Sequence, residues 1–355
     1  MHRIKMGKHW VGEDDPVYFI ADISANHDGD LGRAKELIHL SAEAGAHAAK
    51  FQNFRAEKIV SKHGFDSMGS QMSHQSKWKK SVFEVYKGAS IPFEWTPVLK
   101  AECDKVGIDY FSSPYDFEAV DMLDPYVEIY KIGSGDITWP QILEKMASKH
   151  KPLLLATGAS TLADVQRAVD TVLKINPDLV LMQCNTNYTG SLENFKYIQL
   201  NVLKTYRTMY PEMVLGLSDH TPGHTTALGA VALGARAIEK HFTDDTRREG
   251  PDHPFSMDPK SWKEMCYRTQ ELQAALGGAV KRVEENEKQT VVVQRRSLRA
   301  AVTLKAGDVI RPEHLVSLRP CPKDALEPWH TTEVLGRKAR HEVKEGEIVR
   351  WIDLE

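Results

Sequence analysis

Eight short apolar runs alternate with amphipathic segments over about 280 residues of this 355-residue chain, and nothing else in it restricts the fold as strongly. The first six runs are VYFIADIS from Val17, HAAKFQNF from His47, DYFSSP from Asp109, EIYKIGSGD from Glu128, PLLLATG from Pro152 and LVLMQCN from Leu179. The last two flank a small-residue helix within LGLSDHTPGHTTALGAVALGARAIEKHFT, Leu215 to Thr243. Intervening stretches such as LGRAKELIHLSAEAGA and TLADVQRAVDTVLKI repeat apolar residues at three- and four-residue spacing. Strand, helix, strand implies parallel neighbours, and eight such units closed by SWKEMCYRTQELQAALGG predict a (β/α)8 TIM barrel. An open doubly wound sheet is the alternative, and it is disfavoured because no GxGxxG follows an early strand.

Chemistry in such barrels gathers at the C-terminal ends of the strands. His220 and His241 end the last two runs, so their imidazoles should lie side by side as a candidate metal pair, the alternative being two unrelated polar strand ends. The other strand ends supply Asp22 and Asn26, Lys50 and Gln52, Ser112 and Ser113, Lys131, Ser134 and Asp136, Thr157, and Asn185 and Tyr188. Each alone is more often a solvated strand end than a catalytic group. A full ring of ammonium and hydroxyl groups suits a small anion such as phosphate.

The polar segment from Arg55 to Ser90 reads as a long loop, with Met68, Met72 and Trp78 expected to fold onto the rest. After Gly278 the composition changes. We divide the chain into residues 1–280, a charged linker or arm at 281–296, and a small β-rich module at 297–355. That module echoes itself: LKAGDVIRPEHL from Leu304 matches VKEGEIVRWIDL from Val343, each with a turn glycine, Gly307 and Gly346. A formal net charge of −3 gives no reason to expect a nucleic-acid partner. Scattered cysteines, a polar N-terminus and the lack of a membrane-length apolar run predict a cytoplasmic, soluble protein.

Read together, NHDGDLGRAKELI, AAKFQNF, FSSPYD, YKIGSGD, LLATGAS, GLSDHT and EKHFTDD…GPDHPFSMDP resemble the bacterial sialic acid synthases. These phosphoenolpyruvate-dependent enzymes make N-acetylneuraminate and related nonulosonic acids. The tail resembles their C-terminal antifreeze-like (SAF) domain. The resemblance implies a divalent metal on His220 and His241, manganese first, with magnesium or cobalt as alternatives. It implies phosphoenolpyruvate on Lys50, Ser113, Lys131, Ser134 and Ser218, and an amino-sugar aldose facing Gln52, Tyr188 and Asp252. It further implies a domain-swapped homodimer in which Arg319 completes the partner's site.

Asp22 and Asp136, the candidate catalytic carboxylates, stand where the family usually has glutamate, each retracted by about 1.5 Å. Thr186 replaces a usual asparagine. We read these changes as retuning for a different aldose. The competing functions are another metal-dependent barrel aldolase or hydrolase, a synthase for a different 3-deoxy-ulosonic acid, and a saccharide- or ice-binding protein. The last fits poorly, because the tail carries Arg311, Glu313, His314, Arg319, Lys323 and Asp324 rather than a flat threonine array.

Overall fold

In the computed structural model, residues 3–70, 75, 76 and 78–355 are described. Met72 lies outside them. The chain folds as two compact units, Met1–Gly277 and Gly278–Glu355.

The first unit begins with a hairpin, β1 (Ile4–Met6) and β2 (His9–Val11), that the sequence reading missed. Ile4, Met6 and Val11 are buried. The turn residue Gly7 has φ +56°, and a Cβ there would meet the Asp109 carboxyl at 2.3 Å. Any side chain would therefore be excluded twice over.

Eight parallel strands then close a barrel: β3 (Tyr18–Asp22), β4 (Ala48–Asn53), β5 (Asp109–Pro114), β6 (Tyr130–Ile132), β7 (Leu153–Ala156), β8 (Leu179–Cys184), β9 (Val214–Asp219) and β10 (Ala235–His241). β10 pairs with β3 to complete the ring. The strands are almost wholly buried, as expected when helices cover the outside and side chains fill the inside. Register places Asp22 level with both Lys50 and His241, and Ser218 level with both Cys184 and Glu239.

The first covering helix is α1 (Leu31–Glu43). The Arg55–Ser90 segment that follows β4 is not the plain loop expected: it contains α2 (Ala56–Ile59), α3 (Lys62–Ser67) and α4 (Val82–Ala89). Ser61 and Ser81 cap the latter two through Gly64 and Glu84, signals that polar composition obscured. The remaining covering helices keep the predicted order: α5 (Trp95–Val106), α6 (Phe117–Leu123), α7 (Pro140–Ala147), α8 (Leu162–Leu173), α9 (Val202–Met209), α10 (Thr225–Ala232) and α11 (Pro259–Leu276). One of them needs correction. The helix expected over Asn194–Tyr210 is broken into a 3₁₀ turn, Leu192–Tyr197, and α9, because Gln199 between them has φ +53°.

In the second unit, residues 281–296 include a short helix, α12 (Lys288–Gln294). β11 (Ser297–Ala300) and β12 (Leu315–Leu318) pair antiparallel, and α13 (Thr331–Val334) follows. The repeated motifs occupy equivalent places. Leu304 and Val343 bridge each other, Gly307 and Gly346 take φ +90° and +83°, and 3₁₀ turns form at Pro312–His314 and Trp351–Asp353. Leu298, Leu304, Val343 and Val349 lie in its separate core. No helix among the described residues is long and apolar enough to cross a membrane.

Candidate functional site

Side chains alternate along a strand, so Glu239 and His241 project to the same side of β10 and Lys240 to the other. Glu239 is the hub of the barrel floor. Its Oε1 accepts from Lys131 Nζ at 2.7 Å, Lys50 Nζ at 3.1 Å and Ser218 Oγ at 3.0 Å. Lys50 Nζ also lies 2.6 Å from Asp22 Oδ2. All five residues are buried. Two ammonium groups and two carboxylates thus balance in a place where a lone charge would be costly. Burial opposes ionisation of Glu239, but Lys131 and Lys50 outweigh it and hold the carboxyl well below its usual range. Burial likewise lowers the lysines. Asp22 and Glu239 more than restore Lys50, whereas Glu239 only partly compensates Lys131, whose ammonium form stays less favoured than in water. An anion arriving at Lys131 would relieve that deficit.

The two histidines stand above this floor with ring centroids 5.3 Å apart. His220 Nδ1 is 2.8 Å from the Asn185 carbonyl oxygen, so it carries the hydrogen and leaves the Nε2 lone pair available. Burial first, and then His241, pushes His220 down to about 3, so it is neutral at neutral pH. His241 Nδ1 is buried without a hydrogen-bond partner, 3.8 Å from Asp252 Oδ2, and its Nε2 is 3.5 Å from Asp22 Oδ2. Tyr188 and Phe255 enclose the pair, with ring centroids 4.3 Å from His220 and 4.8 Å from His241 respectively. The neutral His220, the orphaned ring nitrogen of His241 and the unpartnered Asp22 Oδ1 fit a divalent cation. Among the described residues, no group of three or more His, Cys, Asp or Glu side chains converges on one point. Two histidines would therefore leave most coordination positions to water and substrates.

On the reverse face, Asp219 and Lys240 form a buried ion pair joining β9 to β10 immediately beside the two histidines. Thr226 Oγ1 donates to Asp219 Oδ2 at 2.6 Å, and Lys240 Nζ donates to the Thr221 carbonyl at 2.6 Å. Charges and hydroxyls on this side hold the strand ends that carry the imidazoles.

Every residue to which the family resemblance gives a role, except Arg319, lines one cavity of about 380 Å³. Gln52 Nε2 reaches Asp22 Oδ2 at 3.4 Å, and the Ser113 hydroxyl is buried without a partner. Ser134 Oγ accepts from the Gly158 amide at 2.9 Å, a close approach in which a Cβ on residue 158 would strike Thr186 at 2.4 Å. Asp136 Oδ2 is buried and unpartnered, and burial pushes the carboxyl up to about 6. Asp252 Oδ2 is held by Ser24 Oγ at 2.6 Å and the Ala25 amide at 3.2 Å. Three other polar strand ends serve the scaffold instead. Asn26 donates to the Phe242 carbonyl, Ser112 to Asn53 Oδ1 and Thr157 to the Met182 carbonyl. Arg319 belongs to the second unit, where it is exposed beside Pro320.

Sequence reasoning missed Glu239, Phe255, Phe54 and Tyr86, the last two packed with the expected Trp78. Glu239 was legible, because it sits two residues before His241 and must share its face. Phe255 lies in a short 3₁₀ turn and Tyr86 in the short helix α4, neither long enough for its spacing to reveal a site.

The NeuB family model matches residues 37–281, and the SAF domain model matches residues 295–355. A protein of Methanocaldococcus jannaschii described as uncharacterized is 34% identical, with 100% of this chain and 99% of that protein covered. The N,N'-diacetyllegionaminic acid synthase of Campylobacter jejuni is 32% identical, covering 93% and 98%. Among solved structures, the N-acetylneuraminic acid (sialic acid) synthetase of Leptospira borgpetersenii, in complex with citrate, aligns with TM-score 0.72 at 29% identity, over 82% of this chain and 95% of that one.

Proposed function

The chain belongs to the NeuB family and ends in a SAF domain, and from that premise we propose that it condenses phosphoenolpyruvate with an N-acylated aldose to give a nonulosonic acid and phosphate. The observation that carries this reading is the buried Lys50–Glu239–Lys131 cluster directly below a pair of histidines in one cavity. A polyanion needs the first, and an aldehyde to be polarised needs the second. An aldolase or hydrolase using only the histidines would leave the buried lysines without a purpose.

Lys50, Lys131, Ser113, Ser134 and Ser218 bind and orient phosphoenolpyruvate, supplying fixed positive potential. A divalent cation held by His220 and His241, manganese being the first choice, supplies Lewis-acid polarisation of the aldehyde oxygen when bound. Gln52, Tyr188 and Asp252 align the sugar. Carbon 3 of phosphoenolpyruvate bonds to the aldehyde carbon, whose oxygen takes a proton to become a hydroxyl. Water then adds at carbon 2, giving one proton to a carboxylate, and phosphate departs with the bridging oxygen, taking up the proton of the new hydroxyl as it becomes the ketone. Asp136 suits that proton: its Oδ2 has no other partner, and a carboxyl with a pKa of about 6 is largely ionised at neutral pH. Asp22 holds Lys50 through Oδ2 and keeps Oδ1 unpartnered toward the cation.

The same reading makes the enzyme cytoplasmic and a homodimer, with the SAF domain of one subunit placing Arg319 in the partner's site. A guanidinium offers a planar set of donors to an acyl carbonyl or sugar hydroxyls. Mixing inactive Arg319→Ala and inactive His241→Ala proteins tests this. Hybrid dimers contain one site with both residues intact, so partial recovery of activity is expected. Absence of recovery, with subunit exchange confirmed, would assign Arg319 to its own chain or to no site.

A further inference from the structure

The motif GPDHPF, Gly250 to Phe255, holds a histidine to which the proposed reaction gives no role. His253 is wholly buried, and side chains from two other segments engage its ring nitrogens. Nδ1 lies 2.7 Å from Thr243 Oγ1, just beyond β10, and Nε2 lies 3.0 Å from Asp28 Oδ1, in the loop after β3. Those two partners are themselves joined. Arg33 Nε is 3.1 Å from Asp28 Oδ2, its Nη1 and Nη2 donate to Asp244 at 2.8 and 2.6 Å, and Thr243 Oγ1 lies 3.2 Å from Asp244 Oδ1. Hydrogen bonds from Arg33 hold the Asp244 carboxyl well below its usual range, so that side of the circuit stays charged. His253 thus closes a ring of side chains with Asp28, Arg33, Asp244 and Thr243, tying the loops that follow β3 and β10. The fit is close: a Cβ on Gly250 would strike the imidazole at 2.6 Å.

Residues beside His253 in sequence reach the site. Asp252 lines the cavity, held by Ser24 Oγ and the Ala25 amide, and the Phe255 ring packs on His241. Resting on the proposed reaction, in which Asp252 aligns the sugar, we infer that His253 is a positioning residue for the acceptor side of the site. It touches neither substrate and acts through Asp252. By pinning the 3₁₀ turn His253–Phe255 to the segments that continue from Asp22 and His241, it fixes where the Asp252 carboxylate stands. A polar group displaced by about 1 Å loses much of its value to a bound substrate. Lys50, Lys131 and Ser218 are carried by β4, β6 and β9 and do not depend on this turn. Loss of the pin should therefore separate the two substrates.

Hydrogen exchange and kinetics on the full chain test this together, in Thr243→Val, His253→Asn and His253→Ala. Thr243→Val removes one hydroxyl and leaves the ring in place, so the test survives if His253→Ala fails to fold. The Ala25 amide donates to Asp252 Oδ2, so its exchange reports, without any ligand, whether the carboxylate keeps its seat. Kinetics use phosphoenolpyruvate with N-acetylmannosamine or a 2,4-diacetamido-2,4,6-trideoxyhexose, whichever the unaltered protein turns over faster. Thr243→Val and His253→Ala should exchange faster at Ala25 and raise KM for the aldose by about 10-fold or more, with KM for phosphoenolpyruvate little changed. His253→Asn, whose amide still reaches Thr243, should recover part of both effects. Unchanged exchange at Ala25 overturns the inference, and so does an equal rise in both KM values, the mark of general loosening. If the unaltered protein turns over neither sugar, the proposed reaction falls, while faster exchange at Ala25 in the variants still upholds His253 as the residue that seats Asp252.

Discussion

Glu239→Gln is expected to reduce turnover by about 100-fold or more and to lower stability by about 3 kcal/mol. The substitution keeps size and shape and removes one charge. Lys50 and Lys131 would then face each other with Asp22 as the nearest remaining carboxylate, and Asp22 pairs with Lys50. Lys131, already lowered by burial, would lose its main compensating charge and tend to shed its proton. Both the floor that binds the polyanion and the core beneath it should suffer. Denaturant unfolding and steady-state kinetics on the same preparation check this. A variant with normal stability and rate would mean that the cluster is a spectator.

His241→Ala should abolish turnover while leaving the fold intact. The lost ring packs against Phe255 and Tyr188 at the barrel mouth, above the core and outside it, so circular dichroism and melting should change little. Manganese affinity should fall by more than the roughly 10- to 100-fold that outer-shell partners typically contribute. Following free manganese by electron paramagnetic resonance reads this without reference to activity. Unchanged manganese binding in the variant, or full activity in exhaustively chelated wild-type protein, would remove the metal role.

The barrel is legible in the sequence because its signal is periodic. Apolar runs of strand length, separated by helices with apolar residues at three- and four-residue spacing, admit few architectures, and strand C-termini then point to one face. That logic is enough to bring Lys50, Lys131, His220 and His241 together. It also contains Glu239, since residues two apart on a strand share a side, but an acidic residue next to Lys240 reads more readily as half of a local pair. Lys240 in fact turns away to Asp219 on the opposite face. The Arg55–Ser90 segment is opaque for a different reason. Its helices are short and fixed by serine caps and by packing of Phe54, Trp78 and Tyr86, contacts between residues that no repeat links in sequence. The N-terminal hairpin is hidden likewise, because its strands of three residues are too short for alternation to register.

The two candidate catalytic carboxylates have distinct settings. Asp22 engages Lys50 through Oδ2 and keeps Oδ1 buried without a partner, whereas Asp136, with Oδ2 likewise unpartnered, has no ammonium group beside it among the described residues and is pushed up by burial alone.

Carbon–carbon bond formation that consumes phosphoenolpyruvate by cleaving its C–O bond is tested most directly by one labelling measurement. The full chain is incubated with manganese, an N-acylated aldose and phosphoenolpyruvate carrying ¹⁸O at the bridging oxygen, and both products are weighed by mass spectrometry. The proposed reaction yields phosphate bearing the ¹⁸O and an unlabelled ulosonic acid that contains all the carbons of both substrates, with neither product formed when the aldose is omitted. Unlabelled phosphate, or phosphate released equally well without the aldose, would contradict it.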